Sequence, residues 1–246
     1  MKKKLIAVTG GNRGIGSAIS RDLARRGFDV ACLSRKGNGI EDAQLPADMA
    51  ARIHPYACDI TDRQSVDAAF DAITETHGGL DGLVNNAGIH LDGPSADFES
   101  SDFEKVLRTN VVGPFTVAQA AYSYLKNSAG LIVNIGSFYD RAGVPSNTAY
   151  CASKAAVAAV SRCLAVEWAK DGIRVLTVAP GFVATDLNRE YLEQEKFQRY
   201  LQSRIPLKRP AQPEEIGQLV GSLFEEDMKF LTGETLYIDG GQGIGL

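Results

Sequence analysis

The 246-residue sequence predicts one doubly wound α/β domain spanning 1–246, with a mostly parallel sheet covered by helices on both faces. Two observations predict it. Short apolar runs alternate with segments of helical periodicity along the whole chain, and strands separated by helices imply right-handed βαβ crossovers. The first apolar run, Leu5–Thr9, leads directly into Gly10-Gly11-Asn12-Arg13-Gly14-Ile15-Gly16 and then a helix. In sheets of this kind ligands sit beyond the carboxyl ends of the strands.

Taken in order, the segment 17–26 after the glycines has helical periodicity and stops at Gly27. Asp29–Ser34 and 52–57 read as strands. Between them the polar stretch 36–50, with Gly37, Gly39 and Pro46, makes at best a short helix. A helix is expected over 65–76, a strand over Gly82–Asn85, one long helix over 101–126 and a strand over 130–135. An alanine-rich helix over 150–170, a strand over 174–179, a helix over 213–223 and a last strand near 234–238 complete the alternation. The stretch 182–209 breaks this rhythm, and within it 187–204 is expected to form a lid over a substrate. Leu187, Tyr191, Phe197, Tyr200 and Leu201 would make the apolar face of that lid, and the charges at Arg189, Glu190, Glu193, Glu195, Lys196, Arg199 and Arg204 a solvated one.

Composition narrows the function classes. A net charge of −4 and a pI of about 5.5 argue against a nucleic-acid surface built on bulk positive potential. No apolar run approaches membrane-spanning length. The five residues between Lys2-Lys3-Lys4 and the glycines are too few for the apolar region of a signal peptide, so a cytoplasmic protein is expected. The four cysteines, Cys32, Cys58, Cys151 and Cys163, form no Cys-x-x-Cys pair and are expected as free thiols. His54, His77 and His90 show no metal-ligand spacing, and no metal site is expected.

Tyr150 and Lys154 stand four residues apart and share one helix face. A free tyrosine, with a pKa of about 10, holds its proton too tightly for efficient exchange at neutral pH. A neighbouring cation stabilises the phenolate and lowers that value. Such a tyrosine serves as a general acid in carbonyl reduction or as a base in alcohol oxidation. A packed tyrosine beside a solvated lysine gives the same spacing, so the surrounding motifs decide.

Glycine at 10, 14 and 16 departs from Gly-x-Gly-x-x-Gly but occupies its place between first strand and first helix. A turn without side chains lets a dinucleotide pyrophosphate approach the free N–H groups of the helix, the Rossmann-type arrangement. About 20 residues further on, NAD-preferring folds carry an Asp or Glu for the ribose hydroxyl. Here the strand ends Ser34-Arg35-Lys36, with no acid at its tip, and Arg13 lies inside the glycine turn. Guanidinium suits a 2′-phosphate, so NADP(H) is preferred, with NAD(H) as the alternative.

With these pieces in order, the chain resembles the short-chain dehydrogenase/reductase family, its single-domain branch, from Lys4 to Gly241. The resemblance assigns the stretch from Thr9 through Gly10, Asn12, Arg13, Gly14, Ile15 and Gly16 to the cofactor turn, and Asp59-Ile60 to an adenine-contacting pair. It gives Asn85-Asn86-Ala87-Gly88 the role of supporting the sheet beside the adenine ribose. It places Pro180, Gly181, Val183 and Thr185 in the loop around the nicotinamide. Asn110, Ser137, Tyr150 and Lys154 match the family's catalytic tetrad. On that likeness Ser137 hydrogen-bonds the substrate oxygen, Lys154 binds the nicotinamide ribose as well as acting on Tyr150, and Asn110 holds a water of a proton relay. Two departures stand out: Gly136 replaces a second serine or other small residue, and the segment between Arg35 and Arg52 is shorter than usual.

The residues 205–207, 212–216 and 231–236 are similar to the 3-oxoacyl-acyl-carrier-protein reductases and to their sugar and polyol dehydrogenase neighbours. An acidic acyl-carrier protein needs a basic docking face. Carrier-using relatives often place a basic residue just before the glycine matching Gly172, where this chain has Asp171, which weakens that partner. The expected function is hydride transfer between NADP(H) and a small-molecule carbonyl or secondary alcohol, with a 3-oxoacyl thioester reductase first. An NAD-dependent sugar or polyol dehydrogenase is the alternative, and a non-catalytic NADP(H) sensor comes third. Relatives assemble through the two long helices, and a homotetramer is expected.

Overall fold

The computed structural model describes residues 4–40, 45–185, 192, 194–226 and 228–245. Seven strands, β1 (Leu5–Thr9), β2 (Asp29–Ser34), β3 (Ile53–Ala57), β4 (Gly82–Asn85), β5 (Leu131–Ile135), β6 (Arg174–Pro180) and β7 (Thr235–Ile238), form one sheet in the order β3-β2-β1-β4-β5-β6-β7. All the pairings among these strands are parallel. The strand order reverses between β1 and β4, which opens the crevice in which doubly wound sheets hold dinucleotides.

Eight helices accompany the strands among the described residues: α1 (Gly14–Arg25), α2 (Ala47–Ala50), α3 (Arg63–His77), α4 (Ser100–Leu107), α5 (Gly113–Ser128), α6 (Thr148–Trp168), α7 (Glu195–Arg204) and α8 (Pro213–Glu225). The side-chain alternation of the strands sorts them into two layers. Leu5, Ala7, Leu33, Ile132 and Val175 bury one face of the sheet with Phe70 of α3, Leu125 of α5 and Trp168 of α6. Ile6, Val8, Cys32, Val133 and Leu176 bury the other with Leu23 of α1 and Val220 and Phe224 of α8. Local signals set the helix ends: the Asp62 carboxylate accepts the Gln64 N–H at 3.0 Å to start α3, and Gly78, at φ 72°, ends it.

One expectation is corrected. The long helix over 101–126 is two helices, α4 and α5, joined by a π-helical turn over Arg108–Val112. Pro114 has no N–H to return to the Asn110 carbonyl, so the regular ladder is broken at this point. The expectation of no membrane-spanning apolar run stands beside one segment that passes by length and composition alone. The 24-residue segment Thr148–Asp171, which contains α6, is long and apolar enough to cross a membrane. Its apolarity has a local cause, because Val157, Leu164 and Trp168 pack within the fold and β6 lies against it. The lid over 187–204 is seen in part: α7 covers 195–204, while Leu187, Arg189, Glu190, Tyr191 and Glu193 lie outside the described residues.

Candidate active site

The structure brings the sequence-selected residues to the carboxyl edge of the sheet. After β1 the chain turns at Gly10 and Gly14, both in the left-handed region at φ 61° and 52°, where a side chain is strained. A Cβ at Gly16 would fall on the Gly10 carbonyl and the Asn86 amide, so this helix start has no space for a side chain. Asn86 fixes the turn from the other side, donating Nδ2 to the Thr9 and Gly10 carbonyls at 3.0 and 3.2 Å. The Thr9 hydroxyl accepts the N–H groups of Asn86 and Ala87 at 3.0 and 3.1 Å. The β1 and β4 ends are thereby locked together, with Gly88 beside the Asn110 amide.

A cavity of about 360 Å³ runs from Gly14 and Ser17 at the α1 N-terminus to Ala184 and Thr185 beyond β6. Ile15 follows in the first turn of α1, and Asn12 and Arg13 precede it with Arg13 exposed at the N-cap. Arg35 is exposed at the tip of β2, and no acid stands beside it before Lys36. The Ser34 hydroxyl is committed to its own turn, donating to the Asn38 carbonyl at 3.0 Å. Asp59, beyond β3, accepts the Thr61 N–H and hydroxyl at 2.9 and 2.7 Å. These bonds hold its carboxyl below the usual range, and Arg35 and Arg108 add to the shift. Ile60 is buried against Gly113. The bare glycine turn, the helix N-terminus and the two exposed guanidiniums together fit a dinucleotide carrying a 2′-phosphate. Pro180 closes β6; Gly181 donates its N–H to the Ile238 carbonyl at 3.0 Å, and Val183 is buried beside Ala211.

On the other side of the crevice, Ser137 follows β5 and Tyr150 and Lys154 lie on α6. Ser137 Oγ accepts the Tyr139 N–H at 3.2 Å and lies near enough to Tyr150 to pull its phenol pKa down. Lys154 Nζ, on a side chain only 7% exposed, donates to the Ile135 carbonyl at 2.8 Å and lies 5.5 Å from the centre of the Tyr150 ring. The expected lowering of the tyrosine is not what this arrangement produces. Burial pushes the Tyr150 phenol up to about 12, with the Ser137 hydroxyl opposing the rise. The same burial pushes Lys154 down to about 8. The lysine faces a backbone carbonyl rather than the phenolic oxygen, and desolvation outweighs the attraction of a cation. Asn110 sits in the π-helical turn with its side chain fully engaged: Oδ1 accepts the Ile89 N–H at 2.8 Å, and Nδ2 donates to the Ile89 carbonyl and the Ser153 hydroxyl at 2.9 and 3.1 Å. A water in a relay through this residue has the backbone carbonyl to bind, not the amide.

The sequence reading missed several neighbours of Tyr150. His90 packs edge-on to the Tyr150 ring at 4.6 Å between centroids, and its Nε2 lies 2.5 Å from Asn147 Oδ1. Asn147 Nδ2 donates to the Pro145 carbonyl at 2.8 Å, which orients the amide, so His90 Nε2 carries the shared proton. Tyr237 donates to both oxygens of Asp140, at 3.0 and 2.9 Å, and so clamps the short 3₁₀ turn Phe138–Asp140 that follows Ser137. One signal was available: His90 lies just beyond the carboxyl end of β4, where a parallel sheet exposes ligand-facing residues. The pairing of Tyr237 with Asp140, 97 residues apart, leaves no local signal.

Comparison with known proteins agrees with this geometry. A family model described as enoyl-(acyl carrier protein) reductase matches residues 10–242. The chain is 36% identical over 241 residues to the 3-oxoacyl-[acyl-carrier-protein] reductase MabA of Mycobacterium tuberculosis, covering 98% of this chain and 93% of that protein. It is 38% identical over 239 residues to carbonyl reductase family member 4 of Xenopus tropicalis, covering 97% of each. Among solved structures, a gluconate 5-dehydrogenase from Burkholderia cenocepacia in complex with NADP and tartrate superimposes with a TM-score of 0.89 at 30% identity, over 100% of this chain and 97% of that one. With the motifs in order along one parallel sheet and these matches over nearly its full length, the chain belongs to the short-chain dehydrogenase/reductase family.

Proposed function

We propose that the protein is an NADP(H)-dependent oxidoreductase that reduces a small-molecule carbonyl to a secondary alcohol, with 3-oxoacyl thioesters as the first substrate class. The observation that carries this reading is Lys154, buried 5.5 Å from the Tyr150 ring, with Ser137 acting on the same phenol, across the crevice from the glycine turn. Gly10, Gly14, Gly16, Arg13 and Arg35 hold the dinucleotide phosphates, and Pro180 to Thr185 border the nicotinamide. Asp59 and Ile60 bound the adenine side, and Asn86 to Gly88 the ribose. When bound, the nicotinamide supplies the hydride. Ser137 orients the carbonyl oxygen as a preorganised donor. Tyr150, held as the phenol, gives that oxygen its proton. Lys154 is largely cationic at neutral pH and stabilises the charge left on the tyrosine; the Asn110 turn returns the proton from solvent.

Burial of Tyr150 keeps it in the protonated form that carbonyl reduction requires, while its raised pKa, about 12, makes it a weaker donor that depends on Ser137 and Lys154 to release the proton. A carrier protein is less well supported. Asp171, the residue at that docking position, pairs with Lys126 at 2.8 Å and accepts the Tyr122 hydroxyl at 2.6 Å, so an acid and not a base stands there. This contact also favours the second reading, a sugar or polyol dehydrogenase acting on a free substrate. Assembly as a homotetramer through α5 and α6 is supported by Phe115 and Val166, which are exposed there, and light scattering tests it.

The test of function is NADPH oxidation with a short 3-oxoacyl thioester, using Tyr150→Phe as control. The expected result is turnover that falls about a hundredfold or more in the variant, while NADPH affinity is retained. NADPH binding without thioester turnover, accompanied by oxidation of sugars or polyols, selects the second reading. Preference for NADH over NADPH overturns the assignment of Arg13 and Arg35.

A further inference from the structure

We propose that the substrate side of this cleft is an aromatic wall, Tyr139, Phe182, Phe197 and Tyr200 set against Tyr150, which selects carbonyl compounds bearing a flat apolar group beside the reacting carbon over straight-chain ones. The inference rests on carbonyl reduction at Tyr150, as argued above, and names the substrate class within it.

The wall begins at the ring of Tyr150. Tyr139 meets the Tyr150 ring edge-on at 5.7 Å and 82°, two residues after Ser137. Phe182, in the loop after β6, continues it at 6.5 Å and 86° from Tyr139. Phe197 and Tyr200 of α7 then stand at 5.8 and 6.4 Å from Phe182, both nearly perpendicular to it. These two stack on each other at 6.0 Å and 23°. Three separated segments of the chain thus converge on one line of rings from the catalytic tyrosine to the lid helix.

The wall is not sealed into the core. Tyr200 is 43% exposed, and Tyr139, Phe182 and Phe197 are half-buried. Burial pushes the Tyr139 phenol up to about 12, so its hydroxyl stays uncharged across the working pH range. A ring pair at such angles gains attraction beyond its buried area, and a guest ring gains it where a methyl or alkyl chain has only area to offer. A polyol would find two phenol hydroxyls here and otherwise only carbon.

The reaction is unchanged by the choice of substrate. The carbonyl carbon accepts the hydride of NADPH, its oxygen accepts the Tyr150 proton, and the products are the secondary alcohol and NADP+.

The experiment compares ethyl benzoylacetate with ethyl acetoacetate, the same 3-oxo ester with phenyl in place of methyl. Measurements are kcat and KM with NADPH in the native protein, Phe197→Leu and Tyr200→Ala. Conjugation makes the aryl ketone intrinsically less electrophilic, so any preference for it reflects binding. The expected result is a kcat/KM about tenfold higher for the phenyl ester. The two variants should erase most of that preference through KM while leaving the methyl ester within about twofold. Tyr200, being exposed, tests the wall without a risk to folding. Equal values for the two esters, or a preference unmoved by both variants, would overturn the proposal. If neither ester is reduced, the reductase reading fails separately. The wall is then decided by calorimetric binding of the two esters to the NADPH-loaded protein, where tighter binding of the phenyl ester that weakens in Tyr200→Ala upholds it and equal binding rejects it.

Discussion

The two junctions that face each other across the crevice, β1 to α1 and β5 to α6, are built from different material. The first is defined by backbone: left-handed glycines, a helix start with no side chains, and an asparagine that ties down two carbonyls. The second is defined by side chains brought from distant positions, with Tyr139 and His90 packed on the Tyr150 ring and Tyr237 clamping Asp140 in the turn after Ser137. A backbone site tolerates almost no substitution inside it and suits a cofactor of fixed shape. A side-chain site can be re-lined one residue at a time, which fits the range of activities among this chain's relatives.

The sharpest way to break that contrast is at Gly16. A Cβ there overlaps the Gly10 carbonyl, which belongs to backbone and has nowhere to go. Gly16→Val should cost about 3 kcal/mol or more, as overpacking of a rigid site does, and lower the Tm by roughly 6–12 °C in a domain of this size. NADPH binding should be lost with it. Retention of both in calorimetry and fluorescence titration would show that the turn is not backbone-limited.

Lys154 tests the side-chain junction through pH. Its folded pKa is about 8, below the ordinary lysine value, so between pH 8 and 10.5 the unfolded chain holds a proton that the folded one has shed. Stability therefore rises with pH across that window, by about 2 kcal/mol up to pH 9.5. Tyr150 works the other way: its folded value of about 12 means that the folded chain keeps a proton the unfolded one loses above pH 10, and stability falls there. Urea denaturation at pH 7.5 and 9.5 should show the rise in the native protein and not in Lys154→Met. The same variant should reduce kcat about a hundredfold, of the order found for loss of a group acting at the reacting proton. A native rate that stays level from pH 7 to 9.5 would contradict the role given to the cationic lysine.

A smaller effect separates the two cofactors. If Arg35 contacts a 2′-phosphate as proposed, Arg35→Asp should weaken NADPH by about tenfold, the scale of one lost charge-assisted contact. NADH affinity should hold or improve. An unchanged NADPH constant would leave Arg13 as the sole phosphate ligand.

What was legible follows the same division. The strand runs, the glycine turn and the missing acid after β2 are local features, and the sequence carried them to within a few residues. The break at Asn110 was also written there, as a proline four residues later, but it reads as a helix start unless one asks which carbonyl loses its donor. The direction of the Tyr150 shift was not legible, because it depends on how deeply the pair is buried and where Lys154 points. The partners of Phe182 are likewise set by three-dimensional convergence, since 15 residues separate it from Phe197 and 43 from Tyr139.

Gly136 shows how far such reading extends. In the sequence it is a harmless departure from relatives with a larger residue before Ser137. In the structure a Cβ at this position would lie 2.7 Å from Thr177 Cγ2, so the methyl of a neighbouring strand occupies the space. The Thr177 hydroxyl meanwhile donates to Ser161 at 2.9 Å, and Ser161 accepts from Asn134 at 2.8 Å in a buried polar chain beneath the site. Gly136→Ala should therefore cost about 1–2 kcal/mol and lower the Tm by roughly 2–8 °C. Thr177→Ser removes the methyl and keeps the hydroxyl, so the same alanine in that background should cost much less. A coupling near zero in this double-mutant cycle would mean that the glycine serves the backbone, as Gly16 does, and that the second junction is less a construction of side chains than it looks.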